Sequence, residues 1–133
     1  MEYFLELVKI NSNYNEFYDK IRIKDENELN IIYSRMNSFY TNKFDLDSFL
    51  NLCCYLFNRQ IFTDGNSRTI FEYMKNELSN NGYSINFDDI KKDYSHLRSF
   101  FPLMYDMNES LAKRDLIKLK KYIRLNKDTN IRK

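Results

Sequence analysis

Apolar residues recur every three or four positions along most of the chain, which is the spacing of an amphipathic α-helix. The clearest stripes occupy residues 26–40 and 46–59. Their predicted inward positions are Leu29, Ile32, Tyr33, Met36 and Phe39 in the first segment and Leu46, Phe49, Leu50, Cys53 and Phe57 in the second. Asp25 and Asp45 stand just before these segments, where a carboxylate caps the free amides of a helix. Two long, partly buried helices are therefore expected.

Weaker patterns fill the rest of the chain. They predict helices over residues 2–10, 13–20, 66–80, 88–100 and 108–125. Residues 20–24 alternate charged and β-branched side chains, and residues 83–87 also favour an extended conformation. Gly82 follows the 66–80 segment at the position where many helices end in a left-handed residue.

The chain is short and uses few residues that break helices. Its 133 residues fit one domain, and two Gly and one Pro are too few for the turns of a many-stranded sandwich or barrel. We therefore expect an all-α protein, a compact helical bundle with a short extended flap. Residues 1–125 form the predicted domain, and residues 126–133 form a basic C-terminal tail.

Charge is distributed unevenly along the sequence. Residues 111–133 contain nine Lys and Arg and two Asp, a net charge of +7, whereas the remaining residues carry −5. A basic end is compatible with nucleic acid or an acidic protein partner, and also with a solvated helix face followed by a frayed end. The second interpretation is the commoner one, so nucleic-acid binding is not expected.

Three further features bear on the compartment. The longest apolar run, residues 52–57, is far shorter than the ~20 residues of a membrane helix. The N-terminus carries Glu2 and Glu6 and lacks the basic region of a signal peptide. Cys53 and Cys54 are adjacent, and we predict two small helix residues that require no oxidising environment. Together these features favour a cytoplasmic protein without a membrane partner.

One segment carries candidate chemistry, and it runs Gln60-Ile61-Phe62-Thr63-Asp64-Gly65-Asn66-Ser67-Arg68. A glycine turn that enters a helix directs the amides of the first helical turn outward, and these amides with the helix dipole bind anions. Gly65 would let the backbone approach a phosphate, Arg68 would pair with its oxygens, and Asp64 would hold Mg²⁺. A simpler interpretation stays open, in which Asp64 or Asn66 caps the helix and Gly65 only turns the chain.

This segment resembles the signature of the Fic/Doc (Fido-domain) family, whose pattern is His-(Pro or apolar)-Phe-x-(Asp/Glu)-Gly-Asn-(Gly/Lys)-Arg. The surrounding order of helices and the extended residues 83–87 are also similar, so the resemblance covers about residues 25–125. Ile61 in place of proline is closer to the Doc branch. The resemblance implies a helical Fic/Doc fold and an enzyme that moves AMP, or in Doc a phosphate, from a nucleotide onto a protein hydroxyl.

The resemblance also implies a role for each matching residue. The implied set is Phe62 as the anchor of the loop, Asp64 as the Mg²⁺ ligand, Gly65, Asn66 and Ser67 as the anion cradle, Arg68 as the phosphate-binding cation, and Ile21, Arg22 and Ile23 as a flap that aligns the target chain by strand addition. The implied cofactor is Mg²⁺, with ATP or another nucleotide as substrate. The implied partners are a protein target bearing a hydroxyl and an inhibitory or antitoxin chain.

Two residues depart from the family pattern. Gln60 stands where the family has the histidine that serves as general base, and a neutral amide cannot accept the hydroxyl proton near pH 7. Phe71 stands where many Fic proteins have a second arginine, which Doc also lacks. Ser12 and Glu16 match the family's inhibitory pattern only in part, and we attribute that match to chance. His96, the only histidine, is expected on a helix surface.

These observations lead to a principal hypothesis and two alternatives. The principal hypothesis is a Fic/Doc-like transferase domain with a nucleotide cradle but no general base, and therefore inactive or inactivated. The first alternative is a non-catalytic module of the same fold that binds a protein partner or a nucleotide. The second uses the basic C-terminal residues as a nucleic-acid arm, which would make binding strongly dependent on salt.

Overall fold

The computed structural model describes residues 2–126 and shows a mostly helical chain. Its elements are α1 Glu2–Asn11, α2 Glu26–Tyr40, α3 Leu46–Asn58, α4 Asn66–Asn80, β1 Tyr83–Ile85, α5 Phe87–Asp93, a short 3-10 helix Leu97–Phe100, α6 Lys113–Lys120 and β2 Ile123–Leu125. The predicted tail falls almost wholly on residues 127–133, which lie outside the described part of the chain. None of the helices in residues 2–126 is long and apolar enough to cross a membrane.

Helix α3 forms the centre of the bundle and contacts α2, α4 and α6. Its buried side chains are Phe49, Leu50, Leu52, Cys53, Cys54, Tyr55 and Leu56. Such burial on nearly all sides is typical of a central helix. Both cysteines are free as well as buried, and burial raises the pKa of Cys54 to about 12. They are therefore packing residues, as the sequence predicts.

The predicted stripes and caps of the two long helices are confirmed. Ile32 and Met36 of α2 are buried, with the rest of the α2 stripe packed at the edge of the core. The Asp25 carboxylate accepts the Asn27 amide, and the Asp45 carboxylate accepts the Ser48 amide. Glu28, which could have completed a capping box, instead forms an ion pair with Arg59 at the end of α3.

The prediction of a helix over residues 13–20 is wrong. Asn15 accepts the Phe17 amide through its side chain, which is a local turn that competes with helical hydrogen bonding. The Asn15 amide group is itself buried against other parts of the chain, so the segment is fixed as irregular structure. Phe17 and Tyr18 consequently lie on the surface and form no core face.

The two C-terminal helices are shorter than predicted. The segment 88–100 divides at Tyr94, whose backbone is extended, so His96 lies exposed just before the 3-10 helix. The expected 108–125 helix begins only at Lys113, because Asn51 and Asn58 of α3 bind the backbone of residues 102–111 and hold it in a loop. It ends at Lys120, since the following residues form a strand.

That strand creates a small sheet that the sequence analysis did not anticipate. β1 pairs with β2 in antiparallel register, with Tyr83 opposite Leu125 and Ile85 opposite Ile123. Gly82 precedes β1 with a φ of +84°, so its predicted left-handed conformation is confirmed. The sheet packs beside α4, through the contacts that β1 makes with this helix.

Replacing Asp45 with Ala should lower the free energy of unfolding by about 1 kcal/mol at pH 7, because α3 loses its N-cap. The hydrogen bond from the Ser48 amide lowers the pKa of Asp45, so this stabilisation is present above the carboxyl's ordinary pKa and is lost as pH falls through the lowered value. Urea unfolding of wild type and variant at pH 7 and pH 2.5 checks both statements. Asp45→Asn keeps a hydrogen-bond acceptor at the cap, so it is the matched control and should retain most of the stability. If the difference in unfolding free energy between wild type and Asp45→Ala is the same at pH 7 and pH 2.5, the capping argument is contradicted.

Candidate functional site

The candidate motif occupies the turn between α3 and α4. Gln60 has a φ of +49°, and among the described residues other than glycine it alone has a positive φ. Its backbone amide donates to the Phe57 carbonyl at 3.0 Å, and this hydrogen bond ends α3. This left-handed residue reverses the chain and directs Ile61 and Phe62 into the core, where both are almost fully buried. The Phe62 side chain therefore points inward and packs in the core.

Gly65 is the N-cap residue of α4, and its surroundings require a glycine there. Its φ is +74°, and a Cβ at this position would lie 2.9 Å from Tyr14 Cβ and 3.0 Å from the Tyr14 carbonyl oxygen. A side chain would therefore strain the backbone and collide with the segment after α1. The side of Gly65 on which a Cβ would stand faces Tyr14. Close packing against Tyr14 is therefore enough to explain why residue 65 is glycine.

Asn66 ties the loop to the helix with both ends of its amide. Its Oδ1 accepts the Phe62 amide at 3.0 Å, and its Nδ2 donates to the Phe62 carbonyl at 2.9 Å. Two hydrogen bonds from one side chain fix the position of the loop relative to the first turn of α4. Asn66 can therefore contribute its backbone amide to an anion site, while its side chain is already engaged.

The predicted flap is extended and pairs with the motif itself. Ile21 and Phe62 form an antiparallel bridge, with the Arg22 amide donating to the Ile61 carbonyl at 2.7 Å and the Thr63 amide to the Lys20 carbonyl at 2.9 Å. The Arg22 guanidinium also donates to the Gln60 carbonyl at 2.6 Å. Ile23 is buried, so one edge of the flap is committed to the motif loop.

Side chains close the opposite edge of the flap. In an antiparallel bridge of this kind, the amide and carbonyl of Ile21 point away from the partner strand. The Ile21 carbonyl accepts from Lys24 Nζ at 2.5 Å. Asp19 and Lys24 form an exposed ion pair, and hydrogen bonding to Lys24 lowers the pKa of Asp19. An incoming strand at this edge would have to replace the hydrogen bond from Lys24.

Two buried asparagines, which the sequence analysis did not single out, support the turn from below. Asn11 Nδ2 donates to the Asp64 carbonyl at 2.8 Å and to Thr69 Oγ1 at 3.0 Å. Asn15 Nδ2 donates to Asn11 Oδ1 and to Thr63 Oγ1, each at 3.0 Å. Asparagine is common throughout this chain, so no pattern in the sequence distinguishes these two from the exposed ones.

The first turn of α4 is partly exposed, with Arg68 exposed, Asn66 and Ser67 half-buried and Gly65 buried. No side chain among the described residues caps its N-terminus, and the first backbone bond joins the Thr69 amide to the Gly65 carbonyl. The amides before Thr69 are those that a helix leaves free. Asp64 and Arg68 stand exposed beside them, with carboxylate and guanidinium 3.9 Å apart. These residues border a hollow of about 470 Å³ that also includes Tyr14, Glu16 and Phe17.

Tyr14 holds the Arg68 side chain in place. The guanidinium lies 5.4 Å from the centre of the Tyr14 ring and donates to the Tyr14 carbonyl at 3.4 Å. The Tyr14 hydroxyl donates to Glu72 Oε1 at 2.5 Å, and that bond raises the pKa of Tyr14. Tyr14 is therefore a neutral donor, and Arg68 supplies the positive charge next to the free helix amides.

Gln60 is exposed at the entrance to the motif, with its side chain folded back onto α3. Nε2 donates to the Phe57 carbonyl at 2.7 Å, and Oε1 lies 3.4 Å from Asn66 Nδ2. In this position the amide orients neighbouring groups by hydrogen bonding. It offers no proton acceptor of useful basicity.

The donor set fits Mg²⁺ only in part. No cluster of three or more His, Cys, Asp or Glu occurs within residues 2–126. Mg²⁺ commonly takes one or two carboxylates and completes its shell with waters and substrate phosphates. The exposed Asp64 carboxylate beside the α4 amides suits that mode and would not hold the ion without a phosphate ligand.

The remaining residues considered from the sequence lie apart from this centre or play structural parts. His96 is exposed in the connection after α5, on a different element from the motif. Phe71 is buried and packs 5.1 Å from the Phe87 ring centre. Ser12 donates to the Val8 carbonyl at the end of α1, while Glu16 lines the hollow beside Arg68.

Comparisons with known proteins identify no relative of this chain. No family model matches it, and neither does any curated protein or any solved structure.

Gly65→Ala should lower the free energy of unfolding by more than about 2 kcal/mol. The left-handed backbone alone costs an alanine about 1–2 kcal/mol, and the Tyr14 contact adds to that. Chemical denaturation followed by circular dichroism measures the change. Asn76→Ala, at an exposed position of the same helix, should change stability by no more than about 0.5 kcal/mol. Equal effects of the two substitutions would show that the contact with Tyr14 is unimportant.

Proposed function

We propose that the chain is a Fic/Doc-like domain whose α4 N-terminus binds the phosphates of a nucleotide, ATP or another, together with Mg²⁺. One observation carries the proposal: the first turn of α4 has no side-chain cap, and an exposed carboxylate, Asp64, and an exposed guanidinium, Arg68, flank it in the sequence. The match of residues 60–68 to the Fic/Doc signature supports the assignment of roles. The packing explanation for Gly65 is compatible with it, since the same turn can serve both purposes.

Each residue of the motif has its own role in binding the phosphates and Mg²⁺. The amides of Gly65, Asn66 and Ser67 bind phosphate oxygens, and Arg68 pairs with them from the side. Asp64 ligates Mg²⁺, which neutralises charge on the phosphates when it is bound. Burial of Phe62 and the hydrogen bonds of Asn66 keep the amides in position. The cradle is held rigid before any ligand arrives.

Transfer to a protein target requires a step that this chain supports poorly. The oxygen of a target hydroxyl would bond to phosphorus, the bond from that phosphorus to the leaving phosphate or diphosphate would break, and the hydroxyl proton would pass to an acceptor. Gln60 occupies the place of that acceptor and has no basic lone pair. We therefore expect the protein with Gln60 at this position to have almost no transfer activity. We expect the flap to align the target only after Lys24 releases the Ile21 carbonyl.

A second candidate function follows from the same observation on Gln60. A domain that retains the cradle and lacks the base is suited to binding a nucleotide or a protein partner without transfer. The two candidates agree on nucleotide binding and differ on what a base at position 60 would do.

Nucleotide with Mg²⁺ should raise the melting temperature, by a stabilisation of about 2.7 kcal/mol at a ligand concentration 100 times the dissociation constant. Arg68→Ala should abolish the shift, and Asp64→Ala should remove its dependence on Mg²⁺. Differential scanning fluorimetry with the common nucleotides measures both effects. Arg114→Ala removes an exposed arginine from α6 and is the charge-matched control. The absence of any shift across all the nucleotides would refute the cradle.

Gln60→His should raise transfer by roughly 10²–10⁴-fold, the usual contribution of a general base. Histidine is among the residues that tolerate a left-handed backbone, so the turn should survive the change. The measurement is label transfer from γ- and α-labelled ATP to proteins of a cell lysate. Transfer of the γ label indicates phosphorylation, and transfer of the α label indicates AMP transfer.

Gln60→Asn is the matched control, because asparagine also tolerates this backbone and provides no base. It should stay as slow as the parent. A silent Gln60→His variant that still binds nucleotide would favour the binding module. A parent protein that is already as fast as the histidine variant would show that position 60 has a different role.

A further inference from the structure

The small sheet has a strand edge that is separate from the flap. The amides of Asn86 and Asn126 donate to carbonyls of the opposite segment at 2.8 and 2.7 Å, and these bonds set the phase of the ladder. In antiparallel pairing such bonds recur at every second residue, so Arg124 is the β2 residue whose amide and carbonyl face β1. The backbone polar groups of Ile123 and Leu125 therefore point away from β1, along the outer edge of β2.

This outer edge offers hydrogen-bonding groups without partners. Within residues 2–126, no backbone or side-chain group forms a hydrogen bond with the amides and carbonyls of Ile123 and Leu125. The Ile123 side chain packs against the core and so fixes the strand, while the Leu125 side chain is 47% exposed. An unpaired edge of this kind accepts an extended segment, whose backbone supplies affinity and whose alternate side chains supply specificity.

Basic side chains accompany the edge. Residues 113–126 contain six Lys or Arg and one Asp, a net charge of +5. Most of these cations lie on α6, which contacts β2, and two of them pair with carboxylates of α3 and α5. Lys113, Lys118 and Arg124 have no carboxylate at ion-pair distance within the described part of the chain. The charge of this region therefore favours an acidic ligand.

Arg124 stands on one face of β2, whereas Ile123 and Leu125 stand on the other, because successive side chains of a strand alternate. Arg124 is exposed and lines a hollow of about 400 Å³ over the sheet. Asp88 also lines this hollow without forming an ion pair with Arg124. A carboxylate of an incoming strand on the same face would lie beside Arg124, and an apolar side chain on the opposite face would lie beside Leu125.

A second copy of this chain is a poor occupant of the edge. Antiparallel pairing of two β2 strands about their centres would set each Arg124 directly opposite the other. Like charges in that arrangement are destabilising, and the two basic regions would repel one another. The cations that disfavour a second copy are the same ones that select an acidic strand.

We propose that the outer edge of β2 binds an extended, acidic segment of a partner protein by strand addition. The backbone of the segment pairs with Ile123 and Leu125. Its carboxylates lie on the face of Arg124, and its apolar side chains lie on the face of Leu125. This edge belongs to different elements from the flap and the motif, so its use does not depend on nucleotide binding.

A short peptide of alternating Glu and Val carries both faces of such a segment and serves as the probe. Titrated into the full ¹⁵N-labelled chain and followed by NMR, it should move the amide signals of Ile123 and Leu125 downfield. The Arg124 amide, which already faces β1, should move much less. A peptide with Lys in place of Glu should bind roughly tenfold more weakly, because repulsive pairs replace attractive ones.

Two variants test the backbone and the charge separately. Leu125→Pro removes an outward amide and keeps the bonds to β1, since proline is tolerated where the amide faces away from the ladder. It should weaken binding of the acidic peptide about fivefold. Arg124→Gln should weaken it by up to about fivefold. Lys9→Gln, which removes an exposed cation of α1, is the matched control and should have no effect.

An acidic peptide that leaves the Ile123 and Leu125 amides unmoved, or that shifts Ile21 of the flap instead, would overturn the proposal. Equal binding of the Lys peptide would show that charge does not select the segment. Shifts of the same two amides with protein concentration alone would assign the edge to a second copy. Slow hydrogen exchange of these amides in the free chain would show that the edge is already paired. A single-stranded oligonucleotide that shifts α6, with no binding of the acidic peptide, would make the basic region a nucleic-acid surface.

Discussion

The arrangement of the candidate site depends on the buried amide of Asn11. This side chain receives a hydrogen bond from Asn15 and donates to the Asp64 carbonyl and the Thr69 hydroxyl, so it connects the end of α1, the segment after it and the start of α4. A buried amide is costly unless all its polar atoms are paired. Pairing here is possible only when the Asp64–Gly65 turn lies where it does. The same turn brings Tyr14 so close that residue 65 must be glycine.

A second constraint follows from the left-handed Gln60. The reversal places Ile61 and Phe62 in the core and leaves their backbone beside residues 20–22, which complete a short antiparallel contact. The flap and the motif are therefore a single unit, fixed at one edge by backbone hydrogen bonds. At the other edge Lys24, which is paired with Asp19, donates to the Ile21 carbonyl and so protects an exposed strand edge from unwanted pairing. Any strand that binds there has to compete with an ion pair that is open to water and therefore weak.

Tyr14 shows how a residue of an irregular segment can organise charge. Glu72 fixes its hydroxyl, its ring lies beneath the Arg68 guanidinium, and its carbonyl accepts from the same group. Arg68 is consequently held near the first turn of α4, where it also forms an ion pair with Asp64 at 3.9 Å. An anion that arrives from solution has to compete with this carboxylate for the guanidinium.

The sequence by itself determined the long helices, because apolar spacing and capping carboxylates act within a few residues of one another. Asp25, Asp45 and the α3 stripe are examples. The turn at residues 60–65 is marked differently, by a break in the helical spacing and by Gly65. Only the tertiary structure decided the course of residues 13–20, where the aromatic spacing favoured a helix and the buried Asn15 prevented it. It also decided both ends of α6, since Asn51, Asn58 and the pairing of β2 with β1 involve residues distant in sequence. Such long-range hydrogen bonds produce no repeating pattern in the sequence, whereas an amphipathic helix repeats its apolar positions every three or four residues.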